Sequence, residues 1–307
     1  MAAANSAPER YGATLPALGE AKGVAAGLPD LLIEARRVAA TVIAGWHGRR
    51  VAGRGENFWQ FRQFASGEAA IAIDWRRSAR DDHFYVREKE WEAAHLVWLW
   101  PDISASMDFR SRLARASKRD RALVITLALA DLLGGAGERV GLLGESDPIL
   151  AHNAAERIAS FIARMTPRPP DTRRLRRFTD VVLVSDFLDP IADVEARLDA
   201  IVRSGARAHL VQVTDPIEET FPFAGRTEFE DPETGIRHVV TRAEQYRDDY
   251  LARLAALRDQ LSLLCRRLDW TFLVHRTDRP ASEPLLALHA RLADRHALAG
   301  HQGGRAA

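Results

Sequence analysis

The fold is decided by residues 95–107, His95-Leu-Val-Trp-Leu-Trp-Pro-Asp-Ile-Ser-Ala-Ser-Met107, where an apolar run of strand length ends in a polar loop. A second apolar run, Val181–Val184, ends in the same way, with Ser185 and Asp186. Short strands that are apolar throughout are typical of a parallel sheet covered by helices on both faces. Ligands bind such sheets at the carboxyl ends of the strands. The two polar loops are therefore expected at one edge of an α/β sheet.

The chain after residue 92 repeats this alternation of strand and helix. The predicted strands cover residues 95–100, 139–144, 181–185, 209–213 and 270–274, and the predicted helices cover residues 118–133, 154–165, 191–203, 243–268 and 283–297. Residues 215–241 fit no helix, and the turn Asp231-Pro-Glu-Thr-Gly235 predicts a β-hairpin insertion there. The predicted fold is α/β, with a doubly wound, mostly parallel sheet, helices on both faces and this insertion.

The first third of the chain has a different sequence pattern. Residues 1–28 are rich in Ala, Gly and Pro and predict a flexible leader. A helix is expected over residues 31–44, and the Gly-punctuated segment after it predicts a small β-rich unit. The expected organisation is a leader, an N-terminal extension over residues 29–92, and an α/β domain over residues 93–300.

Composition limits the function classes. The 307 residues carry a formal net charge of +1, so no overall positive charge favours nucleic acid. A single cysteine, Cys265, excludes an internal disulfide framework and a multi-cysteine metal site. No apolar stretch has the length of a membrane span, and no secretory signal opens the chain, so we expect a cytoplasmic protein with no membrane span and no nucleic-acid partner.

The loop after residue 101 carries the predicted chemistry. Asp102, Ser104 and Ser106 alternate, so one tight loop presents three oxygen-bearing side chains. Mg²⁺ and Mn²⁺ prefer oxygen ligands. One carboxylate and two neutral hydroxyls leave such an ion with positive charge and open positions, and Asp186 supplies a second carboxylate from the neighbouring strand. The pattern predicts a divalent-metal site that attracts an acidic side chain of a partner.

Two other interpretations of this loop stay open. Asp and Ser are favoured at turns and at helix N-termini, so the loop can be a structural cap in a metal-independent scaffold. A hydrolase using Ser104 or Asp102 is weaker, because the second Asp of an aspartyl phosphatase and the flanking glycines of a serine hydrolase elbow are missing. No Gly-x-x-x-x-Gly-Lys loop is present, which excludes a P-loop ATPase.

Several motifs occur in the order of a known bacterial family. They run from Gly53-Arg54-Gly55-Glu56 through Arg62 and Asp74-Trp75-Arg76 to Arg80, the Asp-x-Ser-x-Ser loop, Ser185-Asp186-Phe187 and the Asp231–Gly235 turn. The chain, over roughly residues 45 to 290, resembles the family called domain of unknown function 58. The resemblance implies a von Willebrand factor A-like domain and a signature region that includes Arg54, Glu56, Arg62, Asp74, Trp75, Arg76 and Arg80.

The resemblance also implies a metal-ion-dependent adhesion site at Asp102, Ser104, Ser106 and Asp186. Thr172 is the candidate for the threonine that completes such sites. It further implies a non-enzymatic adaptor or co-chaperone, whose partner is a MoxR-type AAA+ ATPase or a client protein of that ATPase. The sequence departs from the family pattern at residues 68–72, where Glu68-Ala-Ala-Ile71-Ala replaces the usual acidic and basic residues.

Overall fold

The computed structural model of this chain describes residues 15–47, 58–64, 73–80, 83–89 and 95–303. Its helices are α1 (Leu15–His47), α2 (Trp75–Ser78), α3 (Lys118–Gly135), α4 (Ala154–Ile162), α5 (Ile191–Ser204), α6 (Pro216–Thr220), α7 (Arg247–Arg267) and α8 (Ser282–Gly303). Its strands are β1 (Phe58–Gln63), β2 (Tyr85–Lys89), β3 (Leu96–Pro101), β4 (Arg139–Leu142), β5 (Asp180–Ser185), β6 (Arg207–Thr214), β7 (Thr227–Glu230), β8 (Arg237–Val240) and β9 (Thr271–Arg276).

The central sheet has five strands in the order β4-β3-β5-β6-β9, and all neighbouring pairs are parallel. The chain first moves from β3 to β4 on one side, and then crosses to β5 on the other side of β3. The strand order therefore reverses between β3 and β5. In open α/β sheets the crevice at such a reversal is the place where ligands bind. The fold thus brings the loops after β3 and β5 to that crevice, and the predicted parallel α/β sheet is confirmed.

Burial of the central strands explains their apolar sequences. Every residue of β5 is buried, and β3 is buried from its second residue onward. Trp98 on β3 lies opposite Gly141 on β4 in the parallel register. A Cβ atom on Gly141 would approach the Trp98 ring to 2.4 Å, so only glycine leaves room for the indole.

The helices form two layers. One layer consists of α1, α3, α4 and α8, which pack against one another. Right-handed crossovers place α5 and α7 on the face opposite to α3, because the β5-to-β6 and β6-to-β9 connections run in the direction opposite to the β3-to-β4 connection. Helix α4 does not follow β4 directly, since the chain first reverses at the antiparallel bridge of Ile149 with Val140, and α4 packs beside α3. Fourteen of the residues of α3 are buried, since α1 covers the side of α3 that faces away from the sheet. Helices on both faces were predicted from the sequence.

The N-terminal helix differs from its prediction. Helix α1 begins at Leu15, inside the segment predicted as a flexible leader, and residues 1–14 lie outside the described residues. An Ala-rich segment has high helix propensity even where its apolar residues show no period. Among residues 27–44 of α1, whose side chains are described, the buried ones follow helical spacing and face α3; they are Leu28, Ala35, Ala39 and Val42.

The two smaller sheets correspond to the predicted extension and insertion. Strands β1 and β2 pair antiparallel, as do β7 and β8, so the predicted hairpin within residues 215–241 is confirmed. The expectation of no helix in that segment was wrong, because α6 occupies residues 216–220. Its N-terminus is a capping box in which Asp215 accepts from the Ile217 N–H and the Glu218 side chain accepts from the Asp215 N–H. Within the described ranges, no helix is both long enough and apolar enough to cross a lipid bilayer.

Candidate binding cleft

Asp102 is held at the end of β3 by hydrogen bonds on both sides of its loop. Its N–H donates to the Val184 carbonyl at 2.8 Å, which ties the loop to β5. Its Oδ1 accepts from the Ser104 N–H at 2.9 Å, and its Oδ2 accepts from the Ser185 hydroxyl at 2.6 Å. The carboxylate is buried and its position is therefore set by two strand ends.

The two serine hydroxyls of the loop face the cleft. Ser104 precedes the 3-10 turn Ala105–Asp108, yet its side chain makes no capping hydrogen bond to that turn. The Ser104 and Ser106 hydroxyl oxygens lie 3.2 Å apart, and both residues line the cleft. The Ser104 hydroxyl therefore does not cap that turn, whereas Asp102 does cap the loop by accepting from the Ser104 N–H, as the structural interpretation expects.

Asp186 follows β5 and lines the same cleft as Asp102, Ser104 and Ser106. It is 4% exposed. Its Oδ1 accepts from the Leu188 N–H at 3.2 Å, and the Gln212 amide of β6 donates to its backbone carbonyl at 2.9 Å. The structure thus brings together four of the five residues predicted for the metal site.

Lys118 is the feature of the site that the sequence did not reveal. Its side chain is 2% exposed, and its ammonium donates to Asp186 Oδ2 at 2.8 Å and to Glu218 Oε1 at 2.7 Å. Although burial opposes it, the two carboxylates raise the pKa of Lys118 above its ordinary value. A signal was present, because Lys118 is the first residue of α3, where the helix dipole disfavours a cation.

Burial destabilises the ionised forms of two carboxylates in the cleft, Asp102 and Glu218. Burial and, after it, the charge of Asp186 raise the pKa of Asp102 to about 6. Burial also raises the pKa of Glu218, although Lys118 acts in the opposite direction. A cation placed beside Asp102 would stabilise its ionised form.

The cleft has a volume of about 440 Å³ and a strongly acidic lining. Seven carboxylates line it, and they belong to Asp102, Asp186, Asp189, Glu218, Glu230, Asp231 and Glu233. The last three come from the end of β7 and the turn that follows it. Four of the seven are in ion pairs: Asp186 and Glu218 with Lys118, Asp189 with Arg197, and Glu230 with Arg237. Glu233 makes a direct contact, since its Oε1 accepts from the Ser106 N–H at 2.9 Å. The hairpin therefore forms one wall of the cleft.

The donor set fits a hard divalent cation on the Asp102 side of the cleft. Carboxylate and hydroxyl oxygens are the ligands that Mg²⁺ and Mn²⁺ take. In the described part of the chain, no group of three or more His, Cys, Asp or Glu side chains is placed to hold a metal ion, so two of the ligands would have to be serine hydroxyls.

Thr172 is placed elsewhere. It begins the 3-10 turn Thr172–Arg174, which Asp171 caps by accepting from the Arg173 N–H at 3.1 Å. The described residues that line the cleft do not include Thr172. The turn Thr172–Arg174 therefore supplies no threonine to the described lining of the cleft.

The signature residues form no part of the described lining of the cleft. Arg54 and Glu56 lie outside the described residues, and Arg62 lies on β1, with its backbone opposite Val86. Asp74 caps α2 by accepting from the Arg77 N–H at 3.0 Å. Three signature residues are exposed on or just after α2: Trp75, Arg76 and Arg80.

Comparison with known proteins finds a family and several relatives. The family model described as protein of unknown function DUF58 matches residues 60–260. An uncharacterised protein of Mycobacterium tuberculosis is 28% identical over 298 residues, covering 91% of this chain and 92% of that protein. An uncharacterised protein of Mycobacterium avium is 33% identical over 129 residues, covering 41% of this chain and 73% of that protein.

Two solved structures show a distant likeness. A conserved hypothetical protein BatB from Bacteroides thetaiotaomicron is 11% identical, with a TM-score of 0.36 and coverage of 66% of this chain and 100% of that one. An aerotolerance-related membrane protein from Bacteroides fragilis is 13% identical, with a TM-score of 0.33 and coverage of 62% and 96%. Likenesses at these scores do not establish a shared fold.

Proposed function

The chain belongs to the family described as protein of unknown function DUF58, and from that premise we propose that it is a non-enzymatic protein–protein interaction module. Its binding face is the cleft where β3 and β5 end. The observation that carries the proposal is that Asp102, Ser104, Ser106 and Asp186 line one cleft at the reversal of strand order. The parallel sheet and the Asp-x-Ser-x-Ser loop support the finer description of a von Willebrand factor A-like domain.

The proposed cofactor is Mg²⁺ or Mn²⁺, held by Asp102, Ser104, Ser106 and Asp186. When bound, the ion supplies positive charge and an open coordination position for a carboxylate of the partner. The acidic lining gives a physical reason for such an ion. The seven carboxylates of the cleft outnumber the three cations that pair with them, and this excess would repel an acidic partner, since like charges brought together at an interface cost several kcal/mol. A cation at Asp102 offsets that repulsion.

A hydrolytic role has less support in the geometry. A nucleophilic serine needs a general base within hydrogen-bond distance. The Ser104 hydroxyl lies beside the Ser106 hydroxyl, and the described residues that line the cleft include no histidine. Asp102 is engaged by Ser104 and Ser185 and holds the loop in place. These contacts favour binding over catalysis.

A second candidate function is a metal-independent scaffold with the same binding face. The observation that favours it is Lys118, whose ammonium bridges Asp186 and Glu218 and already supplies one positive charge in the cleft. In this alternative the Asp-x-Ser-x-Ser loop is a structural element and the partner contacts the protein without an ion. Titration calorimetry with Mg²⁺ and Mn²⁺ separates the two candidates, because only the first predicts binding heat and thermal stabilisation at millimolar ion.

The proposed partner is a MoxR-type AAA+ ATPase or a client protein of that ATPase, and the proposed location is the cytoplasm. The family resemblance alone suggests this partner. An encoded AAA+ ATPase beside the gene for this chain would add an independent line of support.

Binding of that ATPase is expected to require both the ion and Asp102. Pull-down in Mg²⁺ should lose at least about tenfold in captured ATPase on addition of EDTA or on Asp102→Ala, since a charge-assisted contact at an interface is worth about 2 kcal/mol or more. Asp189→Ala is the matched control, because Asp189 lines the same cleft but forms an ion pair with Arg197. That variant should retain binding within about twofold.

Equal capture by the wild type and Asp102→Ala, with and without EDTA, would remove the metal from the mechanism. The scaffold would then be the function that the cleft supports. Loss of capture in Asp189→Ala to the same extent as in Asp102→Ala would show that the effect is one of general cleft charge.

A further inference from the structure

The hairpin of β7 and β8 reaches across the cleft to the Asp-x-Ser-x-Ser loop. Its turn residue Glu233 accepts a hydrogen bond from the Ser106 N–H at 2.9 Å, although the two residues are 127 positions apart in the chain. Glu230, Asp231 and Pro232, at the end of β7 and in the turn, also line the cleft. A side-chain carboxylate of this chain thus already lies against the loop to which the partner's carboxylate is proposed to bind.

The turn that carries Glu233 is preorganised. Asp231 accepts from the Glu233 N–H at 3.0 Å, from the Thr234 hydroxyl at 2.7 Å and, through its carbonyl, from the Gly235 N–H at 2.7 Å. Gly235 has a φ of +70°, a left-handed conformation that glycine adopts without strain. Little conformational entropy is lost when this rigid turn presents its carboxylate to Ser106.

The hairpin is loosely attached to the rest of the domain. Most residues of β7 and β8 are exposed or half-buried, and a cavity of about 570 Å³ lies between the hairpin and α7. On the apolar side of the hairpin, the ring of Phe229 lies 5.9 Å from that of Phe221 and 5.1 Å from that of Phe223. Because its strands are largely exposed and the hydrogen bond from its turn to Ser106 is also exposed, the hairpin can open locally at low cost.

We propose that Ser106 is part of a carboxylate-binding position whose internal occupant is Glu233, and that an acidic side chain presented on a turn of the partner displaces it. This proposal rests on the proposed function, because both take this cleft as the surface that binds the partner. The Asp231–Gly235 turn is then a template for the partner's motif, namely an acidic side chain on a tight turn. Because Glu233 is exposed and makes a single hydrogen bond to Ser106, its competition lowers partner affinity by a modest factor, about fivefold.

The first test measures amide hydrogen exchange on the full chain in the absence of metal. Glu233→Ala should increase exchange of the Ser106 amide about fivefold, since the amide loses its protein acceptor. Glu230→Ala is the matched control. It removes the same charge from the same cleft, but Glu230 pairs with Arg237 at 2.9 Å, and the Ser106 amide should exchange as in the wild type. Equal Ser106 exchange in the wild type and Glu233→Ala overturns the proposal.

The second test uses a fluorescein-labelled peptide of residues 228–236 as the carboxylate probe, with fluorescence anisotropy in Mg²⁺. The Glu233→Ala protein should bind the peptide about fivefold more tightly than the wild type and Glu230→Ala, because its own carboxylate no longer competes. The same peptide with alanine at the position of Glu233 should not bind. Equal affinity for all three proteins, or no binding to Glu233→Ala, overturns the proposal.

The two proposals can fail separately. Failure of the metal mechanism appears as ATPase capture that is unaffected by EDTA and by Asp102→Ala, while Ser106 exchange still responds to Glu233→Ala. Failure of the internal occupant appears as capture that depends on metal, while Glu233→Ala leaves Ser106 exchange and peptide affinity unchanged.

Discussion

Replacing Lys118 with methionine is expected to lower the free energy of unfolding by about 3–5 kcal/mol. The ammonium is 2% exposed and donates to the carboxylates of Asp186 and Glu218 at 2.8 and 2.7 Å. Methionine keeps most of the side-chain length but leaves the buried carboxylate of Asp186 and the half-buried carboxylate of Glu218 without their cation. Within the described residues, the negative charge that remains is then stabilised only by neutral backbone donors, the N–H groups of Leu188 and Asp215. Urea denaturation at pH 7 with linear extrapolation measures the loss.

A matched control separates buried from exposed ion pairs. Arg173 pairs with Asp171 at 2.6 Å, but its side chain is 88% exposed. Arg173→Met should therefore cost about 1 kcal/mol or less. Adding Glu218→Gln to Lys118→Met should recover part of the lost stability, because one uncompensated charge disappears. A loss below about 1 kcal/mol for Lys118→Met would show that the ammonium does not balance these carboxylates in solution.

The metal-free protein is expected to lose stability through Asp102 as the pH rises from about 4 to about 6. Burial and Asp186 raise the folded-state pKa of Asp102 from 3.8 to about 6, so the folded chain holds this proton more tightly than the unfolded chain. The stabilising contribution is complete below the unfolded pKa and is lost as the pH rises through the folded pKa. A difference of about two pH units corresponds to about 3 kcal/mol. Chemical denaturation between pH 4 and pH 7 in EDTA, compared with Asp102→Asn, isolates this loss.

Divalent metal should reverse that loss, because the ion binds the ionised carboxylate. In millimolar Mg²⁺ or Mn²⁺ the wild type should gain stability above about pH 6, while Asp102→Asn gains none. If the wild type and Asp102→Asn have the same dependence of stability on pH in EDTA, the folded-state pKa of Asp102 is ordinary. The ionised form of Asp102 is then not destabilised in the folded protein. If only the metal effect is missing, the metal-independent scaffold is favoured.

Most of the secondary structure followed from local sequence pattern. The five central strands lie within a few residues of their predicted bounds, because runs such as Val181–Val184 are apolar on both faces and short enough to exclude a helix. The hairpin was recognised from its Asp-Pro-Glu-Thr-Gly turn. Helix α6 was missed, because five residues are too few to show a period, although Asp215 and Glu218 carry the capping signal.

Part of the cleft also followed from the sequence. The carboxyl ends of neighbouring parallel strands must meet at one edge of the sheet, so two apolar strands followed by Asp102 and Asp186 were sufficient to predict that these side chains share a site. That inference needs only strand direction and adjacency. The metal itself and the ATPase partner stay predictions, and Thr172 lies outside the described lining of the cleft.

The tertiary structure alone decided which charges meet these two carboxylates. Lys118 starts α3, Glu218 lies in α6 and Glu233 lies in the hairpin turn, and no periodicity links these elements to the ends of β3 and β5. Their contacts depend on how helices and an insertion pack over the sheet, which short-range pattern does not encode. The sequence determined the sheet and the acidic loops at its edge. The packing decided that this edge holds a buried ammonium and that the Glu233 carboxylate of the hairpin contacts its loop.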